Sequence, residues 1–248
     1  MSEKWSSTPK HILRKKCIES VVKKWNPASF IEFGAGTGDI TTLFLEKGYY
    51  GKCYDLGEEN RKILRSNLIK YGNQVEIVDD LESLQKLQFD YIFAFEVLEH
   101  IKNDAETLKK WSSYLKLGGK ILISVPAHMS KYSKDDELVG HVRRYEKAEM
   151  TQLLENTGYK DVMVLNYGFP LGNITRMISN IIHGSKKTAQ DCSLEERSIK
   201  SGIERPSFTN KLSFLFNDIT LTPFILLQTL FFQKDWGDGY VLYAEKKN

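Results

Sequence analysis

"FIEFGAGTGDIT", Phe30–Thr41, places three glycines at alternate positions directly behind a short apolar run. Phe30 to Phe33 reads as a strand and Asp39 to Lys47 as a helix, so the glycines make a strand-to-helix turn. Such a turn brings backbone N–H groups close to a ligand at a point where a Cβ would obstruct them. The dinucleotide fingerprint Gly-x-Gly-x-x-Gly fails here. Gly34, Gly36 and Gly38 give Gly-x-Gly-x-Gly, and Asp39 stands where the third dinucleotide glycine belongs. No Lys-Ser/Thr pair follows the turn, which counts against a nucleoside-triphosphate P-loop.

Working outward, the chain alternates. Strands at Tyr50 to Asp55, Val75 to Val78, Phe89 to Phe95 ("FDYIFAF") and Lys120 to Val125 are interleaved with helices at Glu58 to Tyr71 and Asn103 to Leu117. The unbroken apolar run of the fourth strand marks a central, buried position. Strands separated by helices predict a parallel sheet with right-handed crossovers. A helix at Lys147 to Asn156 and a strand at Asp161 to Asn166 continue the pattern, and a last strand, Gly239 to Glu245, follows a long insert. Upstream, Thr8 and Pro9 open a helix over residues 8 to 25, with Ile12, Leu13, Val21, Val22 and Trp25 on its apolar side. Its other face carries Lys10, Arg14, Lys15, Lys16, Lys23 and Lys24. That is a solvated face on the plainest reading, and a lid or an anionic contact otherwise.

The 248 residues are 41% hydrophobic and 27% charged, ordinary for a globular chain with a full core. A net charge of +3 is too mild to argue for nucleic acid. Cys17, Cys53 and Cys192 lie far apart without metal-ligand spacing and read as free thiols of a reducing compartment. The N-terminus has no apolar core of signal-peptide length. The expected location is the cytoplasm.

In open α/β sheets ligands sit beyond the carboxyl ends of the strands. Asp55 closes the second strand, where an acid can take both ribose hydroxyls. Asp79 and Asp80 close the third, placed to meet an adenine amino group, and Glu96 closes the fourth. The set surrounds a nucleoside rather than a pyrophosphate.

With these positions the chain resembles the class I S-adenosylmethionine-dependent methyltransferases. The matching pieces are "FIEFGAGTG", "CYDL", "IVDDL", "FDYIFAFEVLEHI" and "LKLGGKILISVP", in family order over about residues 28 to 126. The resemblance implies a Rossmann-like α/β fold: a seven-stranded, mostly parallel sheet with an antiparallel last strand and helices on both faces. It implies S-adenosyl-L-methionine as cofactor and S-adenosyl-L-homocysteine as product. Glu32 would approach the methionine amino group, Gly34, Gly36 and Gly38 would line the methionine and ribose side, and Asp55 would hold the ribose diol. Asp79 or Asp80 would meet the adenine, and Glu96 would form the floor. Ala35, Thr37, Leu56, Leu81 and Val97 complete the implied cofactor-binding set.

Methyl transfer needs the nucleophile, methyl and sulfur held in line, and a base where the nucleophile is a hydroxyl. Histidine is the usual base near neutrality. His100 closes "EVLEH", as floor or as base; His128 follows Pro126 on the rim; His11 and His183 have no assigned role. "GHVRRY", Gly140–Tyr145, resembles the GHxRRY loop of many bacterial small-molecule and saccharide methyltransferases. The resemblance makes His141 a candidate base and His141, Arg144 and Tyr145 candidate acceptor contacts. The plain alternative is a rigid loop held by Arg–carboxylate pairs. The Asn/Asp-Pro-Pro-Tyr/Phe motif of base-directed amino methyltransferases is replaced by "FEVLE", and the acidic–Asn set of metal-dependent catechol-type enzymes is not evident. No metal is assigned.

The insert holds "LSFLFNDITLTPFILLQTLFFQKDWGDG", broken by Asn217, Asp218, Pro223 and Gln228, so it falls short of the roughly 20 apolar residues of a membrane span. Two short helices packed on the sheet, a roof for a greasy acceptor and a peripheral membrane contact are its three readings. The polar stretch from Gly184 to Ser207 reads as a mobile neighbour suited to gating. The expected organisation is one domain over residues 1–248. It comprises an N-terminal helical lid (1–27), a cofactor-binding core (28–126), an acceptor-side loop, helix and strand (127–169), an apolar helical insert (170–236) and the final strand (237–248). The expected function is methylation of a small-molecule acceptor, lipophilic or sugar-bearing, at oxygen, with nitrogen open. RNA or protein methylation and a non-catalytic methyltransferase-fold partner are the rivals. No nucleic-acid partner is expected, and oligomeric state is left open.

Overall fold

The computed structural model describes residues 8–183, 193–201 and 217–247. Strands β1 (Ser29–Phe33), β2 (Tyr50–Tyr54), β3 (Val75–Val78), β4 (Phe89–Phe95), β5 (Leu115–Pro126), β6 (Tyr159–Tyr167) and β7 (Gly239–Lys246) form one sheet in the order β3-β2-β1-β4-β5-β7-β6. β7 runs antiparallel to both its neighbours, β5 and β6, while the β3-β2-β1-β4-β5 pairs are parallel. The expected fold class is therefore borne out.

Helices α1 (Pro9–Val22), α2 (Asp39–Glu46), α3 (Glu58–Leu68), α4 (Asp104–Ser113), α5 (Lys134–Val139), α6 (Lys147–Asn156), α7 (Leu171–His183), α8 (Leu194–Ser201) and α9 (Asp218–Thr229) surround it. Two apolar clusters fill the two faces. One centres on Ile31, Ile92, Ile121, Tyr145 and Leu154, the other on Phe30, Phe44, Phe93, Leu13 and Ile18. Phe44 and Phe93 stack with centroids 4.0 Å apart, which seats α2 on β4.

Several boundaries differ from the sequence reading, and two of them have clear local reasons. The helix expected to run to Leu117 stops at Ser113, because Leu115 already pairs with Phe89 and opens β5 ahead of the Gly118–Gly119 irregularity. The helix expected over 8 to 25 ends at Val22, leaving Trp25 free to stack on Tyr91 with centroids 5.2 Å apart.

Within the apolar insert, α9 packs along α1, and Gln228 locks it there. Its side-chain amide Nε2 donates to the Leu13 carbonyl (3.0 Å) and its Oε1 accepts from Gly168 N–H (3.1 Å). One helix of the insert is thus packed, against α1. Residues 212–216 and most of the polar stretch from 184 lie outside the described residues, as does Cys192. Cys17 and Cys53 are free and buried. No helix among the described residues is long and apolar enough to cross a membrane.

Candidate active site

The glycine turn caps a cavity of 1070 Å³ at the carboxyl ends of β1, β2 and β4. Gly34, Gly36 and Gly38 all take positive φ, 69°, 54° and 82°, a region that costs a side-chain-bearing residue. Gly34 also lies against Val97, where an added Cβ would come within 2.4 Å of a methyl group. Gly34, Ala35, Gly36 and Thr37 line the cavity. Gly38 does not: it caps α2, and a Cβ there would press on Leu64 and Leu68 of α3. The third glycine serves helix packing rather than the ligand side expected of it.

Asp55, 6% exposed, anchors the turn from β2. Its Oδ2 accepts from Gly36 N–H (2.9 Å), and its Oδ1 from Gly57 N–H (3.2 Å) and Asn60 Nδ2 (2.9 Å). Leu56 and Leu81 line the same side of the cavity. Asp79 and Asp80 do not. Asp79 turns outward to Arg61 and Arg65 (3.1 and 2.7 Å), and Asp80 accepts from Ser83 N–H (2.7 Å) at the start of a short turn. Leu81 lines the cavity where either acid was expected to.

Glu32 and Glu96 bring carboxylates to the floor. Burial drives the Glu32 pKa up to about 8, although Thr41 Oγ1 donates to it (2.7 Å). Its folded pKa thus lies above the usual carboxylate value, so between about 4.5 and 8 the folded chain holds a proton that the unfolded chain has released. Stability should therefore decline across that window as pH rises. Glu32→Gln is expected to flatten the decline in thermal melts taken from pH 5 to about 8.5; an unchanged slope would mean Glu32 is ionised throughout. Glu96 behaves oppositely. Burial alone would raise it, but Lys10 and Arg14 of α1 outweigh that and hold it at about 2. Ser124 Oγ donates to it (3.1 Å), and Arg14 Nη1 stands 3.4 Å away.

That contact corrects the reading of α1 as a solvated face. Lys10, His11 and Arg14 all line the cavity, so this face of the helix covers it rather than facing solvent. His11, given no role from sequence, donates from Nε2 to Asp39 Oδ2 (2.8 Å) and so ties the helix to the glycine turn. Part of the polar stretch read as a mobile neighbour is a helix that covers the cavity: Ser193, Leu194, Glu195, Ser198, Ile199 and Ser201, in and beside α8, line it, and the Ile199 carbonyl accepts from Asn60 Nδ2 (3.1 Å).

Of the three candidate histidines, His100 and His141 line the cavity and His128 does not. His128 faces the far end of β5, with Nδ1 3.2 Å from Glu146 and Nε2 3.5 Å from Asp235. The His100 and His141 rings meet edge to face with centroids 4.8 Å apart. Burial, reinforced by His141, pulls His100 down to about 4. His141 donates from Nδ1 to Asp136 Oδ1 (2.8 Å), and its Nε2 lies 3.6 Å from the buried Glu99.

The rest of "GHVRRY" turns inward. Arg144, 5% exposed, donates from Nε to Asp136 (2.9 and 3.0 Å) and from Nη1 to Asp238 (3.2 Å). Tyr145 is fully buried, and its hydroxyl donates to Asp104 (3.0 Å) and the Leu98 carbonyl (3.2 Å). Neither reaches the cavity, so both leave the acceptor-contact set and hold the loop that presents His141. Arg144→Met should cost about 3–5 kcal/mol, because it strands buried carboxylates. A lower melting temperature with unchanged S-adenosylhomocysteine affinity in the folded protein is the expected result; a native melting temperature with a raised acceptor KM would return Arg144 to the acceptor.

The sheet order, the glycine turn and the strand-end acid together define the architecture of a class I S-adenosylmethionine-dependent methyltransferase. The chain belongs to the Methyltransferase domain family, which matches residues 10–164. Among curated proteins it is similar to the ubiquinone biosynthesis O-methyltransferase of Xanthomonas axonopodis, 30% identical over 122 residues that make up 47% of this chain and 51% of that one. The chain thus spans about half the length of the curated relatives it matches. Among solved structures it is similar to phosphoethanolamine N-methyltransferase 2 of Haemonchus contortus, in complex with S-adenosyl-L-methionine. That match has a TM-score of 0.57 and 19% identity, covering 95% of this chain and 52% of that one. The cyclase SpnF has a TM-score of 0.59 at 12% identity, covering 100% of this chain and 84% of that one. A likeness so distant carries the fold alone, and a cyclase in the same fold shows why fold does not name a reaction.

Proposed function

We propose that the protein moves the methyl group of S-adenosyl-L-methionine to an oxygen of a small, lipophilic or sugar-bearing metabolite. The observation that carries this is one cavity shared by the glycine turn with Asp55 and by the His100–His141 wall. Asp55 takes the ribose hydroxyls; Gly34, Ala35, Gly36 and Thr37 give the backbone room to approach the donor; and Glu32 and Glu96 receive its methionine end. Leu56, Leu81 and Val97 supply apolar contact to the nucleoside. Transfer itself asks for alignment of oxygen, methyl and sulfur, and lids such as α1 and α8 supply alignment and exclude water. Activation of the acceptor hydroxyl falls to His141 and His100.

The name shared by the matched relatives, ubiquinone biosynthesis O-methyltransferase, favours oxygen as the acceptor atom. Exposed apolar side chains on α7 and α9, including Met177, Ile181, Ile219 and Leu226, fit a greasy acceptor or a membrane surface as its source. The mild net charge of +3 disfavours RNA.

Calorimetric titration with S-adenosylhomocysteine, with NADH as control, tests the donor half of the proposal. Micromolar binding of the first and none of the second is expected, and an acceptor screen by mass spectrometry then follows. A folded protein that binds neither would overturn the assignment.

A further inference from the structure

We propose that Glu99, His100 and His141 form a binding site for one divalent first-row transition-metal ion, open to the cavity and placed to take the acceptor oxygen. The three residues bring one ligand atom each within 4.8 Å of one another. Glu99 is fully buried, and neither of its carboxylate oxygens has a hydrogen-bond partner among the described residues. An unpaired carboxylate in such a place is costly unless a cation joins it.

The two histidines are oriented as metal ligands are. His141 gives its Nδ1 hydrogen to Asp136 Oδ1 (2.8 Å), and the nearest acceptor to His100 Nδ1 is the Gly140 carbonyl (3.2 Å). Each outer partner accepts, so each ring carries its hydrogen on Nδ1 and leaves a lone pair on Nε2. Ligand atoms of the three residues lie within 4.8 Å of one another, a spacing that a side-chain adjustment of about an ångström closes onto one ion. His141 Nε2 and Glu99 Oε1 stand 3.6 Å apart. Two ligand atoms on a tetrahedral ion at about 2.1 Å would be separated by about 3.4 Å, so that pair needs almost no adjustment. Backbone contact fixes the register: Val142 N–H donates to the Glu99 carbonyl (2.9 Å), locking the His141 loop onto the turn after β4. Glu96 is excluded from the set because Lys10 and Arg14 already neutralise it.

Two imidazoles and one carboxylate suit Zn²⁺, Mn²⁺, Fe²⁺ or Co²⁺; Mg²⁺ and Ca²⁺ prefer oxygen-rich shells. Three protein ligands leave positions open, and His100 and His141 line the cavity, so the open side faces the proposed acceptor. There the ion would lower the pKa of a coordinated hydroxyl, and its proton would leave to solvent. The oxygen then forms the new O–C bond as the C–S bond breaks, and the electron pair of that bond stays on sulfur to give a neutral thioether. This step rests on the methyl-transfer reading; the ion site does not.

The test uses the full chain after chelator treatment and desalting, titrated with Co²⁺ by visible absorption and with Mn²⁺ by calorimetry. The expected result is saturation near one ion per chain with the ligand-field bands of a nitrogen-containing site. Glu99→Gln, a near-isosteric change, and His100→Gln should each weaken binding at least about tenfold, with S-adenosylhomocysteine affinity reporting that the variants are folded. No saturable binding by the parent protein, or affinity and spectrum unchanged from the parent in both variants, would overturn the proposal. S-Adenosylhomocysteine binding without metal binding sinks the ion site alone; metal binding without it sinks the methyl-transfer reading alone.

Discussion

Replacing His141 with alanine is expected to lower turnover by about 10²–10⁴-fold while leaving S-adenosylhomocysteine affinity unchanged, the span usual for loss of a group that activates the nucleophile. The two readouts separate because His141 lines the cavity from the acceptor loop, whereas Asp55 and the glycine turn reach it from β1 and β2. Folding should survive the change. Asp136, the partner of His141 Nδ1, keeps the Arg144 guanidinium at 2.9 and 3.0 Å and the Ser133 N–H at 2.9 Å, so its buried charge stays paired. Steady-state kinetics with a methyl acceptor found by the screen, together with a calorimetric titration, decide the matter. Full activity in the variant would reduce His141 to a loop support.

Asp55→Ala is expected to weaken S-adenosylhomocysteine binding by about 1.5–3 kcal/mol, the worth of hydrogen bonds to a charged group. That corresponds to roughly a ten- to hundred-and-fifty-fold rise in Kd. The carboxylate holds Gly36 N–H on one side and Gly57 N–H and Asn60 on the other, so its loss also loosens the turn that leaves room for the ligand. Asp55→Asn keeps one acceptor oxygen and should fall between the two. Unchanged affinity in both variants would remove Asp55 from the site.

The readings that survived are those written in local chemistry. Three alternate glycines announced three positive-φ positions, and all three are found. Strand β4 was legible because "FDYIFAF" is apolar throughout, and only a strand covered on both faces needs that. Asp55 was legible as a cavity-lining position because it closes the strand beside the bare turn. The misreadings share a cause as well. Arg144 and Tyr145 look like exposed acceptor contacts in a list of letters, yet Asp136, Asp238 and Asp104 draw them inward. Asp79 ends its strand as expected and then turns away, because Arg61 and Arg65 on α3 lie within reach.

By itself the sequence determined the sheet, the glycine turn, the strand-end acid and the family, because backbone preference and hydrophobic period act over a few neighbouring residues. Only the tertiary structure decided which polar side chains meet. It swung α1 over the cavity so that Lys10 and Arg14 face Glu96, and laid Ile199 against Asn60, 139 positions earlier in the chain. It also brought His141 to Glu99 across the turn after β4. Contacts of that range depend on how helices and loops pack against the finished sheet, where burial and charge pairing are settled together, and no local pattern of residues encodes them.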